Sequence, residues 1–421
     1  MPKMKPTEKT KKNSSKVSSR LSLGERVPKL RFPGFEGEWI PTVLKSILHE
    51  RKTYAEKDGS YPHATLSKEG IYGKTDRYDR DFLVSTENKE YKITLKNDLC
   101  YNPANLKFGV ICLNTFGSAI FSPIYVTFEI DKSYSPQFVG AALTQKDFIG
   151  YALRFQQGTV YERMAVSPED FLSISRRFPA IAEQEKIAEF ISLLNSRIAA
   201  QRKLVELLKK HKRGLSSVLF SGKVRVATNA KWRTYRLGDI VRRVTRKNGK
   251  ATDIPLTISA QHGLIDQREF FSKAVASADM SGYYLLKQGE FAYNRSSSGD
   301  YPFGSIKKLE RYHQGAVSTL YICFETLGDK DDAEFLKWYF DSFAWHREIG
   351  MICAEGARNH GLLNVPTDGF FDTKHILPSD KDERKKIASL MALADARCEC
   401  AETELARLTA MKSGLLQQMF V

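Results

Sequence analysis

The feature that most constrains this sequence is an internal repeat with a separation of 200 residues. Residues 183–220 recur as residues 383–420, with a Lys-Ile-Ala triplet, three leucines, a lysine, a glycine and a closing phenylalanine at the same spacing. A repeat of this kind fixes the architecture, because each copy must be one structural unit that the chain builds twice.

The repeat extends into the segment that precedes each helix. Trp39 is matched by Trp232, at an offset of 193 residues, and Pro179 by Pro378, at an offset of 199. Between these markers the matched pairs are Gly70 and Gly263, Tyr101 and Tyr293, Gly109 and Gly304, Tyr125 and Tyr321, and Val166 and Val365. The chain is therefore predicted to alternate two globular domains of roughly 150 residues with two long helices.

Both helical segments carry a coiled-coil stripe. Apolar residues recur in alternating steps of four and three, which is the 3.5-residue period of a helix that packs on another helix. Gln201 and Lys212 occupy two of these positions in the first helix, and Lys412 occupies one in the second. The predicted interface residues are Ile187, Phe190, Ile191, Leu194, Ile198, Val205 and Leu208, with Ile387, Met391, Leu405 and Leu408.

The economical arrangement is an antiparallel pair, because a short linker then suffices to join the first helix to the second domain. A helix of 38 residues is about 57 Å long. Lys212 and Lys412 either fix the register as buried polar groups or extend their ammonium groups to solvent. Phe190, Leu193, Leu204 and Leu207 form a second apolar strip, which either a protein partner or the chain itself must cover.

The globular domains are predicted to be α+β, with mainly antiparallel strands. Segments such as 91–95, 109–113 and 124–130 are rich in β-branched and aromatic residues and are bounded by glycine, asparagine and proline. The predicted boundaries are a disordered basic tail at 1–28, a domain at 29–180, a helix at 181–221, a linker at 222–231, a domain at 232–380 and a helix at 381–421.

Polar and basic residues cluster in the predicted loops at equivalent places of the two copies. Arginine, asparagine and glutamine read base edges, and lysine and hydroxyl side chains contact phosphates. Taken singly, a residue of these types is more often an ordinary solvated loop residue, and only the clustering at equivalent places in two copies favours DNA contact. The candidates are Lys68, Lys74, Arg77, Arg80, Asn102, Asn105, Lys107, Thr159, Tyr161 and Arg163 in the first copy, and Gln261, His262, Arg268, Asn294, Arg295, Ser296, Ser298, Arg358, Asn359 and His360 in the second.

Charge points to the same kind of partner. The formal net charge is +16, and the first twenty residues hold seven Lys or Arg against one Glu. Such a field favours polyanions such as nucleic acid. No apolar stretch has the length of a membrane span or follows the basic start as a signal peptide requires. The six cysteines form no Cys-x-x-Cys pair, which favours reduced thiols in the cytoplasm over a zinc site or disulfides.

Motifs for catalysis are missing from the sequence. It contains no Gly-x4-Gly-Lys-Ser/Thr loop, and no strand–GxGxxG–helix unit appears. Residues 102–105 begin as Asn-Pro but lack the proline and aromatic residue of an amino-methyltransferase motif. No catalytic, cofactor-binding or metal-binding residue is therefore predicted.

The layout resembles the DNA-specificity subunit of a type I restriction–modification system. The motifs that carry the resemblance are RFPGFEGEW at 31–39, Trp-x4-Leu-Gly-Asp-Ile at 232–240, Glu-Gln-x-Lys-Ile-Ala at 183–188, and KSGLLQQMF at 412–420. The resemblance covers nearly all of the chain after residue 28 and leaves the basic tail outside.

The resemblance implies two pseudo-repeated α/β target-recognition domains separated by two long antiparallel coiled-coil helices. Each domain would read half of a bipartite target in double-stranded DNA, and the helices would dock two methyltransferase subunits. Restriction and translocase subunits would join for cleavage, and S-adenosylmethionine, ATP and magnesium would bind to these partners. The alternatives are a scaffold for nucleic acid or protein without sequence specificity, and a free-standing enzyme.

Overall fold

The computed structural model describes residues 27–55, 59–74, 90–158, 164–226, 231–259, 262–270, 279–297, 301–353, 361 and 363–420. The predicted tail at 1–28 therefore lies almost wholly outside the described residues. The chain divides into two compact units: unit 1 is Met1–Ala200 with Ala406–Val421, and unit 2 is Gln201–Leu405. Each unit thus contains parts of both long helices.

The helices of the described residues include two that are far longer than the rest. Short helices begin at recognisable caps: Ser135 accepts a hydrogen bond from the Phe138 amide before one helix, and Asp329 and Asp332 form a capping box at another. The α-helices are α1 Pro136–Leu143, α2 Lys146–Ala152, α3 Pro168–Ser173, α4 Ile181–Phe220, α5 Leu237–Ile240, α6 Gln267–Phe270, α7 Lys330–Asp341, α8 His346–Ile352, α9 Thr367–Asp372 and α10 Lys381–Met419.

Unit 1 contains small antiparallel sheets. Its strands are β1 Ile40–Val43, β2 Leu48–Glu50, β3 Tyr54–Ala55, β4 Ala64–Ser67, β5 Gly70–Gly73, β6 Tyr91–Thr94, β7 Leu99–Tyr101, β8 Ile111–Leu113, β9 Ala119–Phe121, β10 Val126–Ile130 and β11 Ser175–Phe178. A four-stranded sheet has the order β2-β10-β7-β8, and a three-stranded sheet has the order β3-β6-β9. Strands β4 and β5 form a hairpin, and β1 pairs with β11.

Unit 2 repeats this plan. Its strands are β12 Trp232–Arg236, β13 Val241–Arg243, β14 Leu256–Ser259, β15 Gly263–Asp266, β16 Tyr284–Lys287, β17 Phe291–Asn294, β18 Ser305–Lys308, β19 Gln314–Val317, β20 Ile322–Thr326 and β21 Lys374–Pro378. The order β13-β20-β17-β18 reproduces the four-stranded sheet of unit 1, β14 and β15 form the matching hairpin, and β12 pairs with β21. The predicted α+β class with antiparallel pairing is confirmed.

Matched residues occupy matched places in the two cores. The hydroxyl of Tyr101 donates to the carbonyl of Val166 at 3.1 Å, and that of Tyr293 donates to the carbonyl of Phe303 at 2.7 Å. Both tyrosine rings are fully buried and stack on a phenylalanine of the helix that precedes the last strand of the unit. The sequence repeat therefore reports a repeated core, not only repeated helices.

The two long helices run antiparallel in both units. In unit 2, the side-chain amide of Gln201 donates to the carbonyl of Ala401 at 2.9 Å, and Lys212 forms an ion pair with Asp395. In unit 1, Ile187 and Ile191 share a core cluster with Met419 at the other end of α10. Gln201 and Ala401 lie at the middle of their helices, whereas Lys212 lies late in α4 and Asp395 early in α10. Ile187 lies early in α4 and Met419 at the end of α10, so these contacts confirm the predicted antiparallel orientation.

The predicted stripe is the buried seam of this pair. Its members are buried or half-buried at every position between Ile187 and Leu219 and between Ile387 and Met419. Gln201 is buried in the seam, so its bond to α10 satisfies a polar group that would otherwise be costly. Lys212 is half-buried and ion-paired, whereas Lys412 is half-buried and burial lowers its pKa.

Unit 2 also encloses a histidine with a defined hydrogen-bonding state. The hydroxyl of Thr373 donates to the carbonyl of Phe370 at 2.7 Å, so it accepts from Nε2 of His375 at 2.8 Å. Nδ1 of His375 then accepts from the hydroxyl of Tyr339 at 2.7 Å. This arrangement suits the neutral imidazole, and burial lowers the pKa of His375 to about 4.

Candidate nucleic-acid interface

The first candidate elements are the tips of the two matched hairpins. Lys68 lies exposed between β4 and β5, and Lys74 is half-buried directly after β5. In unit 2, His262 is exposed at the corresponding tip, where its amide donates to Oγ of Ser259 at 3.2 Å. The two hairpins share a backbone turn, because Gly70 and Gly263 both begin the second strand with positive φ. The residues at the two tips nevertheless differ.

The second candidate element in unit 1 is the loop between β7 and β8. Asn102 is buried, and its Oδ1 accepts from the amides of Ala104 and Asn105 at 3.1 and 3.2 Å. This Asx turn shapes the loop, so the side-chain oxygen of Asn102 is already used within the chain. Lys107 is exposed, with Nζ 5.1 Å from the ring centroid of Phe108, and is available to a phosphate.

The matching loop of unit 2 follows β17, and its arginine contacts backbone carbonyls. Nε and Nη2 of Arg295 donate to the carbonyl of Leu320 at 3.2 and 2.9 Å, and Nη1 donates to the carbonyl of Val365 at 3.1 Å. Three of its five donors thus brace the loop against neighbouring backbone. Oδ1 of Asn294 accepts from the amide of Ser296 at 3.1 Å, and Ser296 itself is exposed.

Arg268 has a neighbouring carboxylate as its partner. Its Nε and Nη2 lie 3.0 and 2.6 Å from the two oxygens of Asp266. This bidentate pair lowers the pKa of the Asp266 carboxyl, with the hydrogen bond from Arg268 as the main cause. A base or phosphate would have to compete with Asp266 for the guanidinium.

Half of the predicted contacts lie outside the described residues: Arg77, Arg80, Thr159, Tyr161, Arg163, Gln261, Ser298, Arg358, Asn359 and His360. The exposed cationic or titratable side chains among the described candidates are those of Lys68, Lys107, His262 and Arg268, of which Arg268 is paired with Asp266. That these residues contact DNA remains a prediction.

Sequence reasoning passed over the apolar residues of the same surface. Phe108 is 62% exposed beside Lys107. Ile124 is 62% exposed in the turn before β10, and Leu320 is 56% exposed in the matching turn before β20. A signal was present in the sequence, because an aliphatic residue stands directly before the matched Tyr125 and Tyr321 in both copies.

The surface of the long helices carries matched exposed leucines. Leu193 on α4 is 64% exposed, and its repeat counterpart Leu393 on α10 is 62% exposed. Leu204 and Leu207 are exposed as well, whereas Phe190 is half-buried with its ring centroid 5.6 Å from that of Phe32. The predicted second strip is therefore partly covered by the chain itself, at Phe190, and otherwise open.

Two other kinds of feature are absent from the described residues. Within the described ranges, no group of three or more His, Cys, Asp or Glu side chains is placed to hold a metal ion. None of the helices that the structure describes combines the length and apolar character needed to cross a membrane.

Comparison with known proteins gives a match in structure without a match in sequence. The chain matches no protein-family model and no curated protein sequence. It is similar to the type I restriction–modification system S subunit from M. genitalium, with a TM-score of 0.55 and 16% identity over 94% of this chain and 99% of that one. A chain solved in work on complex assembly and conformational transition of the type I R-M system gives a TM-score of 0.51 and 13% identity over 91% and 97%.

A third similar structure is the HsdS subunit from Thermoanaerobacter tengcongensis, with a TM-score of 0.44 and 12% identity over 93% of this chain and 97% of that one. The two alignments with TM-scores above 0.5 span nearly the whole of both chains. The fold expected from the sequence resemblance is therefore confirmed: this chain has the fold of type I S subunits.

Proposed function

We propose that this chain is the sequence-specific DNA-binding subunit of a type I restriction–modification complex and that it catalyses no reaction itself. Each unit contacts one half of a bipartite target in double-stranded DNA. Helices α4 and α10 dock two methyltransferase subunits. This chain thereby determines at which adenines the complex methylates DNA.

The observation that carries the proposal is one scaffold built twice with different loops. Strand order, buried tyrosines and glycine turns agree between the units. The residues at the loop tips differ: Lys68 and Glu69 stand where the second copy has Gln261 and His262. A protein that needed the same contact twice would keep the same loops, whereas two unlike half-sites require unlike readers.

Charge supports DNA as the ligand. A net charge of +16 attracts a polyanion over a range set by the Debye length. If each unit neutralises about four phosphates, the logarithm of the binding constant falls against the logarithm of salt concentration with a slope near −7. A much shallower slope would argue against a duplex spanning both units.

The helix surface supports docking of a pair of similar partners. Leu193 and Leu393 are exposed at the same position of the two repeats, so two copies of one protein could meet the same side chain. Exposed aliphatic residues on a helix suit a protein partner, which removes them from water. S-adenosylmethionine, ATP and magnesium are proposed to bind to the methyltransferase and to the restriction and translocase subunits, in the cytoplasm.

The test is enrichment of duplexes from a randomised pool by the full chain. The expected result is a motif in two parts with a fixed gap. His262→Ala is expected to relax the half of the motif read by unit 2, because the His262 side chain is exposed at the tip of its hairpin. Lys107→Ala, which removes a proposed phosphate contact in unit 1, is expected to weaken binding to all duplexes and to lower the salt slope by about 1. Lys132→Ala is the matched control, since Lys132 is an exposed lysine outside the candidate loops.

Two outcomes would contradict the proposal. Recovery of duplexes without any shared motif would favour a scaffold that lacks sequence specificity. Transfer of label from S-adenosylmethionine to DNA by the chain alone would favour a free-standing methyltransferase. Under the proposal, transfer requires the addition of methyltransferase subunits.

A further inference from the structure

The two units share a turn with an exposed aliphatic side chain at its tip. The turn at 122–125 is closed by a hydrogen bond from the Tyr125 amide to the Ser122 carbonyl, and the turn at 318–321 by the same bond from Tyr321 to Ser318, each at 3.1 Å. The residue before the tyrosine is Ile124 in one unit and Leu320 in the other. Both side chains are more than half exposed.

This turn lies between the two elements that supply candidate DNA contacts. On one side, Val126 pairs with Tyr101 and Ile322 with Tyr293, so the antiparallel register brings the turn beside the loop that follows β7 or β17. In unit 2 a direct bond shows this proximity, because Arg295 donates to the carbonyl of Leu320.

On the other side, the tyrosine of each turn holds the candidate hairpin. The hydroxyl of Tyr125 lies 3.2 Å from that of Thr65 on β4, and the hydroxyl of Tyr321 lies 3.4 Å from that of Thr257 on β14. The same bond thus ties turn to hairpin in both units. The aliphatic tip of each turn therefore lies between the two elements that supply candidate DNA contacts.

We propose that Ile124 and Leu320 are apolar wedges, each of which enters the base stack of one half-site and fills the space left by the extruded target adenine. The inference rests on the proposed function. A methyltransferase cannot reach the reacting atom of a base inside a duplex, so the nucleotide must leave the stack at a cost in stacking and pairing. Leucine and isoleucine are among the side chains that proteins insert between base steps.

The agreement between the copies favours this role over the other ways of contacting DNA. Side chains that read bases must differ between units, because the half-sites differ. Phosphate contacts call for cationic or hydroxyl side chains. Extrusion of an adenine is the step that both half-sites share, so an aliphatic side chain at the same position of each unit can perform the same role at each half-site.

The experiment uses the full chain assembled with its methyltransferase subunits on target duplexes that carry 2-aminopurine in place of the methylated adenine of one half-site. Fluorescence of this base rises when it leaves the stack. Ile124→Ala is expected to lower the rise about tenfold at the half-site read by unit 1 and to leave the other unchanged. Leu320→Ala is expected to do the reverse, and Ile124→Leu to retain the signal.

A mismatched base opposite the target adenine provides the rescue. Because a mismatch lowers the cost of extrusion, it is expected to restore most of the 2-aminopurine signal to Ile124→Ala. On duplexes that keep the adenine, it is expected to restore most of the methylation rate. A loss of duplex affinity with unchanged 2-aminopurine fluorescence would overturn the proposal, since the side chain would then be a simple binding contact.

Two other results would also overturn it. Failure of Ile124→Ala to assemble with methyltransferase subunits would assign the turn to a protein interface. If Ile124→Ala lowers the 2-aminopurine signal only on duplexes with thymine, and not with uracil, beside the target adenine, the side chain contacts the thymine methyl group instead. Enrichment by the unaltered chain is measured first, so that a failure of the proposed function is distinguished from a failure of the wedge.

Discussion

Replacing Asp395 by Asn is expected to destabilise the helix pair. Asp395 of α10 pairs with Lys212 of α4, with 29% and 28% of the two side chains exposed, and the ammonium lies 5.3 Å from the ring centroid of Trp338. The amide preserves the volume of the carboxylate but leaves a half-buried cation without its counter-charge. Exposed ion pairs contribute about 0.2–1 kcal/mol and broken buried pairs cost about 3–5 kcal/mol, so we expect a loss of about 1.5 kcal/mol.

The first repeat supplies the matched control. At an offset of 200 residues, Asp395 corresponds to Asn195 and Lys212 to Lys412. Unit 1 therefore already holds the amide that the substitution introduces into unit 2. Asn195 is exposed, and burial lowers the pKa of Lys412. Asn195→Asp is expected to stabilise unit 1 by about 0.5 kcal/mol and to raise the pKa of Lys412.

The assay is urea unfolding of the full chain at low and at high salt. A change in midpoint at unchanged slope reports a change in stability. The Asp395→Asn loss should shrink in high salt, because partly exposed charges are screened. Unchanged stability of Asp395→Asn at low salt would refute the assigned magnitude. Destabilisation by Asn195→Asp would show that the two repeats do not share one helix register.

Three further predictions concern the buried histidine, two glycines and the surface of the long helices. The pKa of His375 is about 4 in the folded chain against 6.5 when unfolded, so its contribution to stability is retained above pH 6.5 and lost as the pH falls. In urea unfolding, the free energy of unfolding should therefore fall by about 2 kcal/mol less between pH 7 and pH 5 in His375→Gln than in the unaltered chain. Gly304 has a φ of +75° and a Cβ there would overlap the carbonyl of Asn294, so Gly304→Ala should cost at least about 2 kcal/mol. By contrast Gly214→Ala, in open space on α4, should gain about 1 kcal/mol in the same assay. Leu393→Asp should weaken methyltransferase docking at least tenfold in a titration, whereas Leu393→Met should not.

The helix pair was predictable because its signal is periodic. Seam positions such as Ile187 and Ile387 differ from their neighbours in polarity, and burial of a stripe is the physical cause of that pattern. Gln201 lies at a seam position where an apolar residue is expected, and its side-chain amide donates to a carbonyl of the other helix. A repeated 3.5-residue period over both copies left little freedom for another arrangement.

The candidate contacts were less predictable because residue type does not reveal whether a polar group already has a partner. Asn102 and Arg295 belong to the types that read adenine and guanine. In the structure the oxygen of Asn102 closes a turn and the guanidinium of Arg295 braces backbone carbonyls. The partners of Asn102 are its own loop neighbours, whereas those of Arg295 are carbonyls 25 and 70 residues away in sequence, and single-sequence reasoning gives neither. Conversely, exposure of Ile124 could be inferred only once the turn was known.

The start of each long helix shows how one scaffold permits two different units. Glu183 and Glu383 are both buried at equivalent positions. Glu183 accepts two hydrogen bonds from the guanidinium of Arg31, at 2.8 and 2.7 Å, whereas Glu383 accepts from the indole of Trp232 at 3.1 Å and from the amide of Val226 at 3.2 Å.

A carboxylate near a helix N-terminus is stabilised by the helix dipole, but it remains costly to bury unless donors surround it. The repeats therefore preserve the requirement for donors and not the identity of the donors. Because each unit meets that requirement with its own residues, substitutions in one unit need no matching change in the other. The same independence would let the loops around Lys107 and His262 diverge, as a protein that reads two unlike half-sites requires.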